Sequence, residues 1–161
     1  LSLSMDEFDV EAHLEFFNRR AVSRGLKIKQ LCCCKNRALI LLYSEKLMEK
    51  RLSDCTAKQL LAGYGYGENL SFDECLDRLS ERICEHGDFP HEIGVFLGYP
   101  FEDVKGFIEN NGGNFKLCGC WKVYGNVEAA ERTFANYGRC RKFLCNKLNE
   151  GIDIYQALRI Y

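Results

Sequence analysis

The chain has 161 residues, 47% hydrophobic and 28% charged, with ten cysteines and two prolines; that size and composition fit one globular domain and exclude a disordered or collagen-like chain. Its 22 basic and 23 acidic residues leave a net charge of −1, so charge alone implies no polyanionic partner. The longest apolar runs, residues 38–43 and 93–99, fall far short of the roughly 18 residues a membrane-spanning helix needs, and no membrane association is expected.

Val10, Leu14, Phe17 and Ala21 recur at helical spacing. Residues 6–23 are therefore expected to form an amphipathic helix ended by Gly25, with His13 on its apolar face as a core or boundary residue. Residues 26–34 begin by alternating apolar and polar side chains, and 37–43 read Arg-Ala-Leu-Ile-Leu-Leu-Tyr. Together they predict a β-hairpin turning at Lys35-Asn36, with a buried second strand. Residues 44–52 suit a short helix. Thr56 with Gln59, and Ser71 with Glu74, have the spacing of capping boxes opening two more. The second of these carries an apolar stripe of Cys75, Leu76, Leu79 and Ile83 behind a Leu70/Cys75 staple. Pro90 and Pro100 suit the first turns of two further helices, the latter over 101–110 with Glu102 and Asp103 at its positive end. Residues 115–124 read as a strand, and Asn126 caps a long helix bearing Ala130, Phe134, Tyr137, Cys140, Leu144 and Leu148. The expected fold is α+β: a predominantly helical single domain over residues 1–161, with a small antiparallel hairpin that a third strand would extend into a three-stranded sheet.

Ten cysteines invite a disulfide framework, yet such scaffolds are short, loop-rich chains without a core. This chain has long periodic segments and no visible signal peptide, so reduced thiols in the cytoplasm are expected. No C-x-x-C occurs, so the paired spacing of structural zinc sites is missing. Cys118-Gly119-Cys120 would present both thiols on one face of an extended backbone, which makes Cys118 and Cys120 the candidate ligands for zinc or iron; core or surface thiols of no special role are the alternative. Cys140 and Cys145 could join them only if the long helix breaks near Gly138 or ends before Cys145, because five helical residues turn about 500° and leave the thiols about 140° apart. Cys32, Cys33 and Cys34 lie on a predicted strand near Lys27, Lys29, Lys35 and Arg37. Such cations favour the thiolate, which makes these three candidate redox thiols; burial as small hydrophobes is the alternative. Cys75 and Cys140 fall on apolar stripes and read as core.

His91-Glu92 opens a short helix, but position 95 is Val95 and the second histidine of a zinc-protease motif is absent. The pair is a candidate acid/base couple, with helix capping as the alternative. His86 ends a helix, where a cation is mildly favoured. Gly63 to Gly67 is not a dinucleotide fingerprint, and no P-loop or nucleophile elbow occurs. Charge is unevenly spread: residues 19–37 hold seven bases and no acid, while 68–92 hold eight acids against Arg78 and Arg82. The basic hairpin of residues 19–37 could bind phosphates or an acidic partner, with a solvated face balanced by the acidic helix before it as the alternative; nucleic acid is not the expected partner.

Residues 89–112 read FPHEIGVFLGYPFEDVKGFIENNG, and 118–142 read CGCWKVYGNVEAAERTFANYGRCRK. These stretches resemble a bacterial family common in anaerobes, the domain-of-unknown-function family DUF3793, through the motifs Pro90-His91-Glu92-Ile93-Gly94, Leu97-Gly98-Tyr99-Pro100 and Trp121-Lys122-Val123-Tyr124-Gly125. Looser similarity covers roughly residues 6–150. The resemblance implies a stand-alone intracellular bacterial protein without an assigned catalytic residue, and it leans towards redox or metal accessory roles. It also implies a further N-terminal segment, with a His-Cys pair before a Pro-Thr-Leu-Ala-Gly run, that is missing here.

Three readings follow. The first is a cytoplasmic accessory protein that binds a metal or redox-active ligand through cysteines, acting with a small ligand or a redox partner protein. In it, His91, Glu92, Trp121, Lys122 and Tyr124 line a ligand cleft beside Cys118 or Cys120; Trp121 and Tyr124 as core anchors are the alternative. The second is an enzyme using His91 and Glu92 as acid and base. The third is an interaction module working through the basic hairpin.

Overall fold

The computed structural model describes residues 2–6, 9–34, 36–67, 70–86 and 89–159, without the side chains of Cys34 and His86. The fold is α+β, with a three-stranded antiparallel sheet, a separate two-stranded sheet and a majority of helix. The chain divides into two compact units, one ending at Gly98 and one beginning at Tyr99. Among the described residues no helix is long and apolar enough to cross a membrane.

The first unit is built on the expected hairpin, β2 (Leu26–Cys34) against β3 (Arg37–Ser44). Asn36 at φ 63° supplies the left-handed turn residue; Lys35 lies outside the described residues. The third strand is β1 (Ser2–Ser4), which pairs with the other edge of β3. Residues 115–124 were the expected source of that strand. They fold back on themselves in the second unit and form their own sheet.

One sheet face is covered by α1 (Val10–Ala21), where Val10, Ala38 and Ile40 form a core with Leu3, Leu14 and Ile28. Asp9 caps α1 through Ala12 N, and Gly25 at φ 60° closes the short 3₁₀ turn that follows it. Asn18 donates to Ile28 O (2.9 Å) and accepts from Ile28 N (2.7 Å). Both backbone groups of that edge-strand residue are thereby satisfied. His13 is exposed, contrary to expectation: the buried stripe runs through Val10, Phe17 and Ala21, and the imidazole turns back to Asp9 O (2.6 Å). The other sheet face carries Leu41 and Tyr43, with Tyr43 meeting Phe72 edge-on at 5.5 Å.

Phe72 opens α4 (Phe72–His86), whose Cys75, Leu76, Leu79 and Ile83 are buried as predicted. Its capping box forms in full: Glu74 accepts from Ser71 N (2.7 Å) and Oγ (2.6 Å), and Glu74 N donates to Ser71 Oγ (3.3 Å). Before it lie α2 (Glu45–Leu52) and α3 (Cys55–Ala62). The Thr56/Gln59 box does not open α3. Asp54 takes the N-cap, accepting from Thr56 N at 2.7 Å, because a carboxylate placed one residue before the helix is the stronger acceptor. The unit ends with the single turn α5 (Ile93–Phe96).

The second unit contains α6 (Phe101–Glu109), the hairpin β4 (Leu117–Cys118) and β5 (Lys122–Val123), the long α7 (Val127–Asn149) and the short α8 (Ile154–Ala157). Asn126 caps α7 through Ala129 N, as expected. Trp121, Val123 and Ala130 form the core, joined by Tyr99, Leu117, Val127 and Phe134.

Candidate functional site

The Trp121 to Gly125 segment is organised by Asp103, a carboxylate only 3% exposed near the start of α6. One oxygen accepts from Tyr124 N (2.7 Å) and Gly125 N (2.8 Å), the other from Trp121 Nε1 (2.7 Å). Three donors satisfy the buried charge, which would otherwise be expensive to hold there. Lys122 Nζ donates to Gly112 O (2.7 Å) and lies over the rings of Phe107 and Phe115, while the Tyr124 hydroxyl donates to Gly113 O (2.8 Å). Tyr124 also packs on Gly106 so closely that a side chain there would overlap the ring. Trp121 is stacked on Tyr99 at 4.9 Å and meets Phe134 edge-on at 4.5 Å. The polar groups of Trp121, Lys122 and Tyr124 are thus engaged with their own unit, matching the core-anchor alternative for Trp121.

This framework carries the Cys118-Gly119-Cys120 dithiol. The extended backbone expected for it is not found: Cys118 pairs with Lys122, and residues 119–121 form the reversal, with Gly119 N donating to Trp121 O (3.0 Å). The turn sits against the α7 side chain Phe134, leaving no room for a side chain on Gly119. Cys118 and Cys120 flank that pinned glycine, and both are free and exposed.

The remaining thiols divide by surroundings. Cys75 is buried, which pushes its thiol pKa up. Cys140, expected in the core, is exposed, as is Cys145: the helix runs unbroken through Gly138, and beyond Phe134 its apolar stripe is only partly covered. The helix neither breaks near Gly138 nor ends before Cys145, as a four-cysteine site required. Among the described residues no group of three or more His, Cys, Asp or Glu side chains could hold a metal ion.

In β2 a bulge at Leu31 shifts the register, so Gln30 faces Ile40 and Cys32 faces Leu39. Gln30 and Cys33 then share a face, and Gln30 Nε2 donates to Cys33 Sγ (2.9 Å). Cys33 is exposed and Cys32 half-buried; the Cys34 thiol lies outside the described residues. Nearby cations are engaged: Lys27 with Glu45, Lys29 with Asp77 at 2.5 Å, and Arg37 with Ser2 Oγ at 2.9 Å. That engagement weakens the basic hairpin as a docking surface.

His91 and Glu92 belong to the first unit, Trp121, Lys122 and Tyr124 to the second. His91 is exposed, whereas Glu92 is fully buried. Arg82 Nε donates to Glu92 Oε1, and its guanidinium also lies over the Tyr64 ring at 5.1 Å. The hydrogen bond to Glu92 raises the Arg82 pKa. Tyr66 is buried nearby, its phenol pushed up by desolvation first and by the Glu92 charge second. Among the described residues, Glu92 Oε2 and the Tyr66 hydroxyl have no hydrogen-bond partner. A carboxylate sealed in this way is not presented to a substrate from solvent, which removes the motive for reading it as an acid/base group. Sequence reasoning missed Arg82 and Tyr66. The available signal was Arg82 as one of only two bases in the acidic stretch 68–92.

The geometry defines an α+β protein with a surface dithiol on a braced hairpin and a separate buried Arg–Glu centre. A protein-family model, the protein of unknown function DUF3793, matches residues 2–158. The chain belongs to that family, and its function is unknown. No curated protein and no solved structure gives a significant match.

Proposed function

We propose that the protein is a thiol–disulfide exchange accessory acting on a partner protein, with Cys118 and Cys120 as its working groups. The observation behind this reading is that both thiols are free and exposed on a turn braced by Phe134 and by the Trp121–Asp103 hydrogen bond. Two thiols are the complete equipment for exchange, whereas zinc or iron would need further ligands to fill its coordination shell. A thiolate of the pair attacks one sulfur of the partner's disulfide and expels the other as a thiolate. The second thiolate then attacks the mixed disulfide. The partner leaves with two thiols, Cys118 and Cys120 are joined, and two electrons have passed to the partner; two equivalents of a small-molecule thiol, leaving as their disulfide, return the pair to its reduced form. A bacterial, cytoplasmic setting suits this chemistry because thiols are kept reduced there. Trp121, Lys122 and Tyr124 serve as positioning residues for the turn.

The test is equilibration of the purified, reduced protein in glutathione buffers of graded ratio, with trapped species read by peptide mass spectrometry. A reversible Cys118–Cys120 disulfide, abolished in C118S and in C120S, is the expected result. Separate glutathione adducts at both positions, with no internal disulfide at any ratio, would overturn the reading. Stoichiometric zinc or iron lost only in the double serine variant would replace it with the metal-binding alternative.

A further inference from the structure

The C-terminal half of α7 carries a second surface unrelated to the dithiol. Residues 132–149 hold Arg132, Arg139, Arg141, Lys142 and Lys147 and no acid. Arg132 and Lys147 are paired with Glu128 and Glu150. Arg139, Arg141 and Lys142 form no ion pair among the described residues, and Arg139 is held towards Asn136. The apolar stripe of α7 is fully covered only at its start: Ala130 is buried and Phe134 meets Trp121, whereas Tyr137, edge-on to Trp121 at 6.4 Å, is 49% exposed, Phe143 58% and Leu148 42%. After α7, Gly151 at φ 81° reverses the chain, with Ile152 N donating to Lys147 O (3.1 Å), and α8 returns beside the helix. Between them lies a groove of about 590 Å³ with Phe143, Leu144, Ala157 and Leu158 as its apolar lining and Arg139 and Arg141 as its cations.

We infer that this groove docks an acidic amphipathic segment of a partner protein. A concave apolar floor takes up protruding alkyl or aromatic side chains, and unpaired arginines beside it select carboxylates and speed encounter. Duplex nucleic acid keeps its base faces stacked inside, and an oligonucleotide single strand is the competitor the test must exclude. A membrane needs one apolar face, whereas Tyr137 and Phe143 stand about 120° apart around the helix.

The full chain is titrated into a fluorescently labelled synthetic helical peptide, with leucines at i, i+3, i+4 and i+7 and glutamates elsewhere, and binding is followed by anisotropy. Micromolar binding that weakens with added salt is expected, with about tenfold loss in R139E/R141E and in F143S. A peptide with glutamine in place of glutamate should bind about tenfold more weakly. All altered side chains are exposed, so unchanged circular dichroism separates lost docking from lost folding. The inference is overturned if the acidic peptide does not bind, or if the arginine variants bind it equally well. It is also overturned if a single-stranded oligonucleotide or phosphatidylserine-containing vesicles bind as tightly as the peptide.

Discussion

Replacing Asp103 by asparagine keeps the side-chain shape but removes one acceptor and the charge. In the native unit one oxygen receives two amides and the other the indole N–H, all within 2.8 Å. An asparagine can keep its carbonyl towards Tyr124 N and Gly125 N, but its NH₂ then confronts Trp121 Nε1, donor against donor. Flipping the amide sets that donor against two backbone donors, which is worse. The variant loses a charge-assisted bond, about 1.5–3 kcal/mol, and leaves a buried indole N–H unsatisfied, about 1–3 kcal/mol. Asp103→Asn should therefore cost about 3–5 kcal/mol, allowing for partial relaxation. Trp121 is the only tryptophan, so its fluorescence in a urea titration reports on this core directly. With a slope of about 1–2 kcal/mol/M for a small unit, the midpoint should fall by about 1.5 M or more. A D103N midpoint corresponding to less than about 0.5 kcal/mol of loss would refute the view that Asp103 organises the hairpin.

Three further outcomes follow from the first unit. Breaking the Arg82–Glu92 pair singly, by R82M or E92Q, should cost about 3–5 kcal/mol, and the R82M/E92L double variant should recover much of it because no charge is left stranded; equally unstable single and double variants in urea titrations would contradict this. Hydrogen bonds from the Ser71 hydroxyl and amide hold the Glu74 carboxyl below its ordinary pKa, and the Thr56 amide does the same for Asp54. Both folded pKa values are depressed, so the stabilisation is complete above about pH 5 and lost as pH falls through the folded values. Urea midpoints should drop on acidification with a shallower slope in E74Q, and an unchanged slope would count against the capping box. Tyr66→Phe removes a buried hydroxyl without a partner among the described residues, so calorimetry should find stability unchanged or raised by up to about 1 kcal/mol; a loss of that size would mean the hydroxyl is satisfied in solution.

The parts of the fold legible in the sequence are those fixed by near neighbours. The hairpin of β2 and β3 follows from side-chain periodicity and a turn-tolerant Asn36, and the Ser71/Glu74 box from a spacing of three. The Thr56/Gln59 box was a fair local match that lost to Asp54, an equally local but stronger acceptor. β1 has three residues, too few to display a period. The Asp103 and Arg82–Glu92 centres could not be read at all, since their partners stand 10 to 22 residues away and nothing in the spacing joins them. Cys140 failed for another reason. Its stripe has helical periodicity, but periodicity gives the face of a helix without saying whether anything covers it.

Long literal motifs invite the inference that their residues contact a ligand, but here most of their polar groups contact each other. Trp121, Tyr124 and Gly125 converge on Asp103, Lys122 and the Tyr124 hydroxyl close on the Gly112-Gly113 turn, and Glu92 holds Arg82. Each of these side chains is fixed by packing and hydrogen bonding, and such demands alone can account for a residue type at a position. Chemistry directed outwards must come from groups that this interior leaves unspent. In the second unit those include the thiols of Cys118 and Cys120 and the cations of α7. The same rigid interior that consumes the motif holds the dithiol turn in place, so a substitution at Trp121 or Asp103 should disturb thiol exchange only by loosening the turn, and one at Cys118 or Cys120 should abolish exchange with the fold intact.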